Sequence, residues 1–286
     1  RPRLMTKYFH LVARARAGRA VFGEREVCQA MWRILRRHFK RTLGCVLMPD
    51  HLHLLVEWTS GEGARQELAL AIAALGRSRF RRQSPWEPLP LAEPIRDLQH
   101  LKRQIRYVHL NPCRKGLASD PLEWEWSTHR DAIGACGSPW LDVATVARGW
   151  RCLPSAFPRE FHAYVSGDPT VRVEGTALPE VKERFLVSTP TTLELALVQA
   201  TRARADARLR RSRERRLMIH LAERMGAPRR SWIAAWIGVS RRAVVYALAK
   251  KPTPADESAL RAARLILAAP ARFEPAVTRG VVLRKG

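Results

Sequence analysis

Hydrophobic positions change period several times along the first 115 residues. From Glu24 to Lys40 they recur at helical spacing, with Val27, Met31, Ile34, Leu35 and His38 or Phe39 on one side, which predicts an amphipathic helix. From Thr42 to Glu57 the pattern predicts two strands. Val46, Leu47 and Met48 suit the first, Leu52, Leu54 and Val56 alternate in the second, and Pro49-Asp50 forms the turn. A second helix is predicted over Gly63 to Phe80. Helical spacing returns from Asp97 to Leu110, with Leu98, Leu101, Ile105, Val108 and Leu110 as core positions and Asp97 as N-cap. Asn111-Pro112 predicts the stop, because a residue before proline is pushed out of the helical region.

The second half is read more coarsely. Cys136 to Ser166 is mixed and aromatic, with Trp140, Trp150, Phe157 and Phe161, and is expected to pack on the first domain. Ser166 to Pro190 reads as a connection, and Thr191-Thr-Leu-Glu194 as a capping box opening a helix. Arg230 to Ala249 has helix-turn-helix spacing: Ala234 where helices cross, Gly238 in the turn, and Val244 in the second helix. Ser240 caps that helix and puts Arg241 and Arg242 in its first turn, where groove contacts belong. One more helix is expected over about Ala255 to Leu267, followed by a basic tail. The division expected is a domain over 1–165, a linker over 166–190, and a helical domain over 191–286 with the helix-turn-helix at about 230–250.

Two motifs carry candidate chemistry. Side chains of a strand alternate faces, so His51 and His53 point the same way, opposite to the core leucines. Two neutral imidazoles on one face suit a shared metal. Alone the signal is weak, since nine histidines in 286 residues give about 0.3 such pairs by chance. Tyr107 and Asn111 are four apart and share a helix face. Asn111 is the one asparagine of the chain, and its bland reading is a C-terminal helix cap. His109 points elsewhere and suits packing or capping.

Met48-Pro-Asp-His-Leu-His-Leu-Leu-Val56, Tyr107-Val-His-Leu-Asn-Pro-Cys-Arg-Lys-Gly-Leu117 and Glu123-Trp-Glu-Trp-Ser-Thr-His129 together resemble the REP-associated tyrosine transposases, relatives of the HUH single-strand transposases. Tyr8-Phe-His-Leu-Val-Ala-Arg14 and Ala20-Val-Phe22 resemble that family's first strand and the lead into its first helix. The resemblance covers about the first 135 residues. A Trp-x-x-Arg-Tyr segment of the family is missing, and four prolines stand in Ser84 to Ile95 instead. The resemblance implies an α+β fold: a ferredoxin-like antiparallel sheet with helices on one face (an HUH domain), here followed by an all-α helix-turn-helix domain. It implies His51, His53 and Asn111 as ligands of Mg2+ or Mn2+, and Tyr107 as the nucleophile that forms a 5′-phosphotyrosine link to single-stranded DNA. The implied partners are single-stranded hairpins of REP-like palindromes, bound by a monomer or homodimer.

Composition strengthens the nucleic-acid reading. The formal net charge is +25, from 51 Lys+Arg against 26 Asp+Glu, and such a balance points to a polyanion. The basic residues cluster. Arg33, Arg36, Arg37, Lys40 and Arg41 ride the first helix, and eleven arginines against three acids lie between Arg202 and Arg230. Arg14, Arg16, Arg77, Arg79, Arg81, Arg82, Arg114, Lys115, Arg241 and Arg242 are the candidate DNA contacts. Five cysteines without a C-x-x-C pair favour reduced thiols over a disulfide framework or structural zinc. With no apolar stretch of membrane length and no signal peptide, a cytoplasmic, nucleoid-associated protein is expected. Two rivals stand beside the transposase: a non-catalytic DNA-binding regulator derived from such an enzyme, and an HxH phosphoesterase using water as nucleophile.

Overall fold

The computed structural model describes residues 7–16, 19–80, 84–181, 189–202, 212–227 and 229–273. It divides into two compact units; of the described residues, one holds those up to Ile133 and Trp140–Leu178, the other Gly134–Pro139 and those from Pro179 to Phe273. The boundary at Pro179 falls within the stretch 166–190 that reads as a connection, and the short segment 134–139 groups with the second unit.

In the first unit the element order is β1 (Lys7–Arg14), α1 (Arg25–His38), β2 (Thr42–Leu47), β3 (His51–Trp58), α2 (Gly61–Arg79), β4 (Glu93–Ile95) and α3 (Leu98–Arg114). The strands form one antiparallel sheet in the order β2-β3-β1-β4, the ferredoxin-like arrangement. The crossover helices α1 and α2 lie on one face. There Leu52, Leu54 and Val56 of β3 meet Leu11 and Ala13 of β1, Met31 and Leu35 of α1, and Leu68 and Leu75 of α2 in the main core. The other face is covered by α3, which packs on β2 and β3, so β3 is buried on both sides. Gly44 of β2 sits under α3. A Cβ there would come 3.0 Å from Leu55 Cδ1 of β3, so glycine leaves room for that side chain, and 3.6 Å from His109 Cε1 of α3, an ordinary contact.

Helix α3 begins where the pattern places it. Asp97 is the N-cap and accepts a hydrogen bond from the His100 N–H at 2.7 Å. Its end is different. The helix runs through Pro112 to Arg114 and stops at Gly116, whose φ of +66° is the left-handed conformation. The N–H of Gly116 bonds the Cys113 carbonyl and that of Leu117 the Pro112 carbonyl, a Schellman closure. Proline removes one donor and disfavours a helical residue before it, but both Asn111 and Pro112 are buried, and packing of the last turn outweighs that local cost. Asn111 is therefore a helix-interior residue, not a cap. Leu98, expected in the core, is 40% exposed because it sits at the first position of the helix.

After α3, Trp126 to Thr128 runs along the outer edge of β2. Leu47 N–H donates to Trp126 O, Thr128 N–H to Cys45 O, and Trp124 Nε1–H to Leu47 O. Short helices α4 (His129–Ala132), α5 (Val143–Trp150) and α6 (Phe157–Ser166) follow. Trp140 packs edge-on against Trp32 at 5.1 Å, so this aromatic region does join the first unit's core.

The second unit contains α7 (Pro190–Thr201), α8 (Ser212–Arg224), α9 (Arg230–Ile237), α10 (Arg241–Ala249) and α11 (Pro254–Ala268). The cap of α7 is Thr189, which accepts from Thr192 N–H. The box expected at Thr191 lies two residues too late, because Pro190 takes the first helical position, where its missing N–H costs nothing. Residues 134–139 belong to this unit. Gly137 N–H donates to Ala200 O at 2.7 Å, and Gly137 lies against Ala259 of α11. Arg224 grips Glu257 through two bonds of 2.7 and 2.6 Å. No helix among the described residues is long and apolar enough to cross a membrane.

Candidate active site

The site is built on the sheet face under α3. His51 and His53 point to this face, at 4% and 5% exposure, with ring centroids 4.9 Å apart. The ring of Tyr107 stands edge-on to His53 at 5.5 Å, and Tyr107 is 37% exposed. The phenol and the imidazole pair are therefore neighbours. Asn111 is one helical turn further on, and Lys115 one turn beyond that. The charge of Lys115 is felt at His51, while Tyr107 lies at His53. The stripe Tyr107–Asn111–Lys115 thus runs over the pair with Asn111 in the middle. Asn111 is 3% exposed.

Each imidazole of the pair has its Nδ1 engaged. Asp50 Oδ1 lies 2.6 Å from His51 Nδ1, so that nitrogen is the protonated one and Nε2 keeps its lone pair. His53 Nδ1 lies 2.9 Å from Nε2 of His10. His10 Nδ1 is in turn 3.5 Å from the Glu93 carboxylate, which favours a proton there. His10 Nε2 is then an acceptor, His53 Nδ1 the donor, and His53 Nε2 the free lone pair. The two chains, Asp50–His51 and Glu93–His10–His53, fix both tautomers in the state a metal ligand needs.

Electrostatics agree. Burial, and then the charges of His10, His51 and Arg14, push His53 down to about 2. Burial also lowers His51, with Arg14 and Lys115 adding to it and Asp50 opposing. His10 is lowered by burial against Glu93. All three are neutral at physiological pH. Burial alone would raise the Asp50 carboxyl, but the hydrogen bond from His51 and the charges of His51 and Arg14 hold it below its usual value.

Two imidazole nitrogens and an amide oxygen fit a divalent cation that tolerates mixed nitrogen and oxygen donors. Among the described residues no three His, Cys, Asp or Glu side chains converge as a metal site. His10 spends its Nε2 on His53. Asn111, one helical turn after Tyr107, is the further residue the sequence offers as a donor.

The basic candidates fall in different places. Arg14 is half exposed, 3.6 Å from Asp50, and Arg16 donates to the Trp86 carbonyl. Arg114 lies over the Tyr107 ring at 5.4 Å and is bound to Asp168 at 2.7 Å. Lys115 caps α3 and is exposed. Arg77 and Arg79 are exposed at the end of α2. Arg81 and Arg82, and four of the eleven arginines between Arg202 and Arg230, lie outside the described residues. In the second unit, Gly238 turns the chain between α9 and α10 at φ +73°. Ala234 and Val244 are buried, Ser240 caps α10, and Arg241 and Arg242 are exposed in its first turn. His109 is fully buried against Thr128 at 2.8 Å, a packing residue.

Sequence reasoning missed His10, Asp50, Glu93 and Asp168 as parts of the site. Asp50 had a signal in its adjacency to His51. The others depend on strand register or on contacts far apart in the chain.

No protein-family model matches this chain, and no curated protein does. A solved structure of a REP-associated tyrosine transposase bound to a REP hairpin aligns with 46% of this chain and 83% of its own, at 15% identity and a TM-score of 0.38.

Proposed function

We propose that this protein is a DNA strand transferase, a transposase that nicks and rejoins single-stranded DNA at hairpin-forming palindromes. The observation that carries the reading is the phenol of Tyr107 packed beside His53, with both paired histidines held in the ligand-ready tautomer.

A divalent cation, Mg2+ or Mn2+, held by His51, His53 and Asn111 would polarise the scissile phosphate, offset the charge that builds on it and favour the phenolate. Tyr107 Oη attacks phosphorus. The Oη–P bond forms as the bond to the 3′-oxygen breaks, the phenol proton passes to water, and the departing 3′-oxygen takes up a proton to leave a free hydroxyl. The 5′ end stays on Tyr107 as a phosphodiester. It keeps the energy of the bond it replaced, so a 3′-hydroxyl can reverse the step without ATP. Arg14 and Lys115 supply positive charge near the phosphate. Arg114, clamped by Asp168, lies over the phenol ring and restrains it. A single strand suits the site, because its backbone bends freely toward Tyr107 while its bases splay away. In the second unit, Ser240 caps α10 and presents Arg241 and Arg242 to a DNA groove.

The test uses single-stranded hairpin oligonucleotides drawn from palindromes flanking the gene, with Mn2+. The expected product is a protein–DNA adduct that survives a denaturing gel. Tyr107→Phe keeps the ring and its packing, so folding stability should stay within about 0.5 kcal/mol while the adduct disappears. Cleavage that persists in Tyr107→Phe would assign the site to a water nucleophile instead. Duplex binding with no adduct from the unaltered chain would make it a regulator.

A further inference from the structure

The opposite side of the first unit carries a feature the strand-transfer reading does not use. Helices α1 and α2 pack antiparallel, since His38 near the end of α1 meets Glu67 early in α2 while Ala30 and Arg79 line one groove. That groove has a volume of about 690 Å3. Its floor is apolar, from Ala30, Ile34 and Ala74. Five of its nine lining residues are cations, Arg33, Arg36, Arg37, Lys40 and Arg79, and none is acidic or aromatic. At 51 Lys+Arg in 286 residues, nine positions would hold fewer than two.

A solvated basic face is the bland account, and the helix dipole explains part of it. Arg36 and Arg37 lie in the last turn of α1 and Arg79 in that of α2, where cations are favoured. The dipole does not explain Arg33, in mid-helix, nor the absence of any acid from the lining. Among the described residues Arg33, Arg37, Lys40 and Arg79 form no ion pair. The hydrogen bonds of Arg33 and Lys40 go to backbone carbonyls of α1. Gathering these four charges in one groove costs repulsion that no ion pair among the described residues offsets.

We propose that this groove is a second nucleic-acid surface, which grips the phosphate backbone of duplex DNA on the side of the sheet away from Tyr107. The stretch of α1 from Ala30 to His38 is about 12 Å long. A duplex of that length carries roughly seven phosphate charges. A single strand would call for aromatic platforms on which bases stack, and the lining has none. A lipid surface would call for an apolar stripe to insert, and the two helices expose one large apolar side chain, Leu70. Duplex flanks or stems thus bind one side while a single strand enters the other. The proposal rests on the charge of the groove and not on the chemistry of Tyr107.

The test is fluorescence anisotropy of the full chain with a blunt 20-base-pair duplex of arbitrary sequence, titrated over a range of salt. The groove variant is Arg33→Gln, Arg37→Gln and Arg79→Gln combined, all exposed helix positions where glutamine keeps the helix. The control, Arg96→Gln, Arg159→Gln and Arg172→Gln, removes equal charge elsewhere. Each lost phosphate contact should flatten the slope of log K against log salt by about 0.9, and weaken binding about eightfold at 0.1 M salt. The control should stay within about twofold of the unaltered chain, the margin left by screening of distant charges. A groove variant that behaves like the control overturns the proposal. So does a groove variant that loses only binding to phosphatidylglycerol vesicles. Tyr107→Phe should bind the duplex as the unaltered chain does, so failure of this inference and failure of the strand-transfer reading are seen separately.

Discussion

His10 is the sharpest place to probe the site, because it touches the imidazole pair without being a candidate ligand. Its Nε2 accepts the His53 Nδ1–H at 2.9 Å, and both rings are buried. His10→Leu removes the acceptor. The buried His53 Nδ1–H is then unsatisfied, and the ring can shift its proton to Nε2, the nitrogen a metal needs. One net hydrogen bond is worth about 0.5–1.5 kcal/mol. Loss of tautomer and orientation adds to that, and removing a group that hydrogen-bonds a metal-binding imidazole typically weakens metal binding about 10–100-fold, or roughly 1.4–2.7 kcal/mol. Titration calorimetry with Mn2+ should therefore give a dissociation constant raised by that factor. Adduct formation should become dependent on metal concentration and recover when Mn2+ is raised accordingly. His10→Gln, whose amide oxygen can still accept from His53, should restore most of the affinity. An unchanged dissociation constant in His10→Leu would refute the orienting role. A loss that excess Mn2+ does not rescue would refute it too.

Other outcomes follow from single features of the fold. Gly116→Ala meets no atom within 4 Å but must hold φ near +66°, so it should cost about 1 kcal/mol in urea unfolding from backbone strain alone; no loss would discredit the closure of α3. Gly137→Ala places a Cβ 2.6 Å from the Ala259 Cα, which should lower the second unit's melting temperature by several degrees, while a neutral result would show that the segment is not seated there. His109 and His129 are wholly buried. Burial pushes His109 down to about 3 and His129 well below its usual value, the latter aided by the charges of His162, His109 and Arg130. The unfolded chain therefore binds protons that the folded chain does not. Stability should be full above about pH 6.5 and fall below it, by up to about 1.4 kcal/mol per pH unit for each ring. Urea midpoints that do not move between pH 7 and 5.5 would contradict this, and His129→Gln should reduce the slope.

Much of the first unit was legible because its signals are local. The period of two in β3 settles which way His51 and His53 face, and the hydrophobic spacing of α1 and α2 gives those helices to within a few residues. Asp97 was readable as a cap from its position alone. Where the reading failed, non-local packing overrode a local preference. Pro112 should end a helix, yet burial of Asn111 and Pro112 carries the helix to Gly116. Thr189 caps α7 because Pro190 suits the first helical turn, a fact the Thr191 box pattern ignores. Strand β4 is three residues long and contains a proline, so no pattern announces it. His10 reaches His53 as a diagonal cross-strand neighbour, since Val12 is the residue opposite His53. That register appears only when the strands pair. Arg114 and Asp168 are 54 residues apart in the chain, beyond any motif.

The strip from Trp126 to Thr128 has a consequence for how copies of this protein could meet. By bonding the outer rim of β2 it leaves no row of vacant amides on that side. The far rim is β4, short and interrupted by Pro94, which has no amide hydrogen to offer. Neither border of the sheet suits growth by adding a strand from a second molecule. Any self-association of the first unit must therefore be built from its helical surfaces, where charge and shape rather than backbone pairing decide the partner.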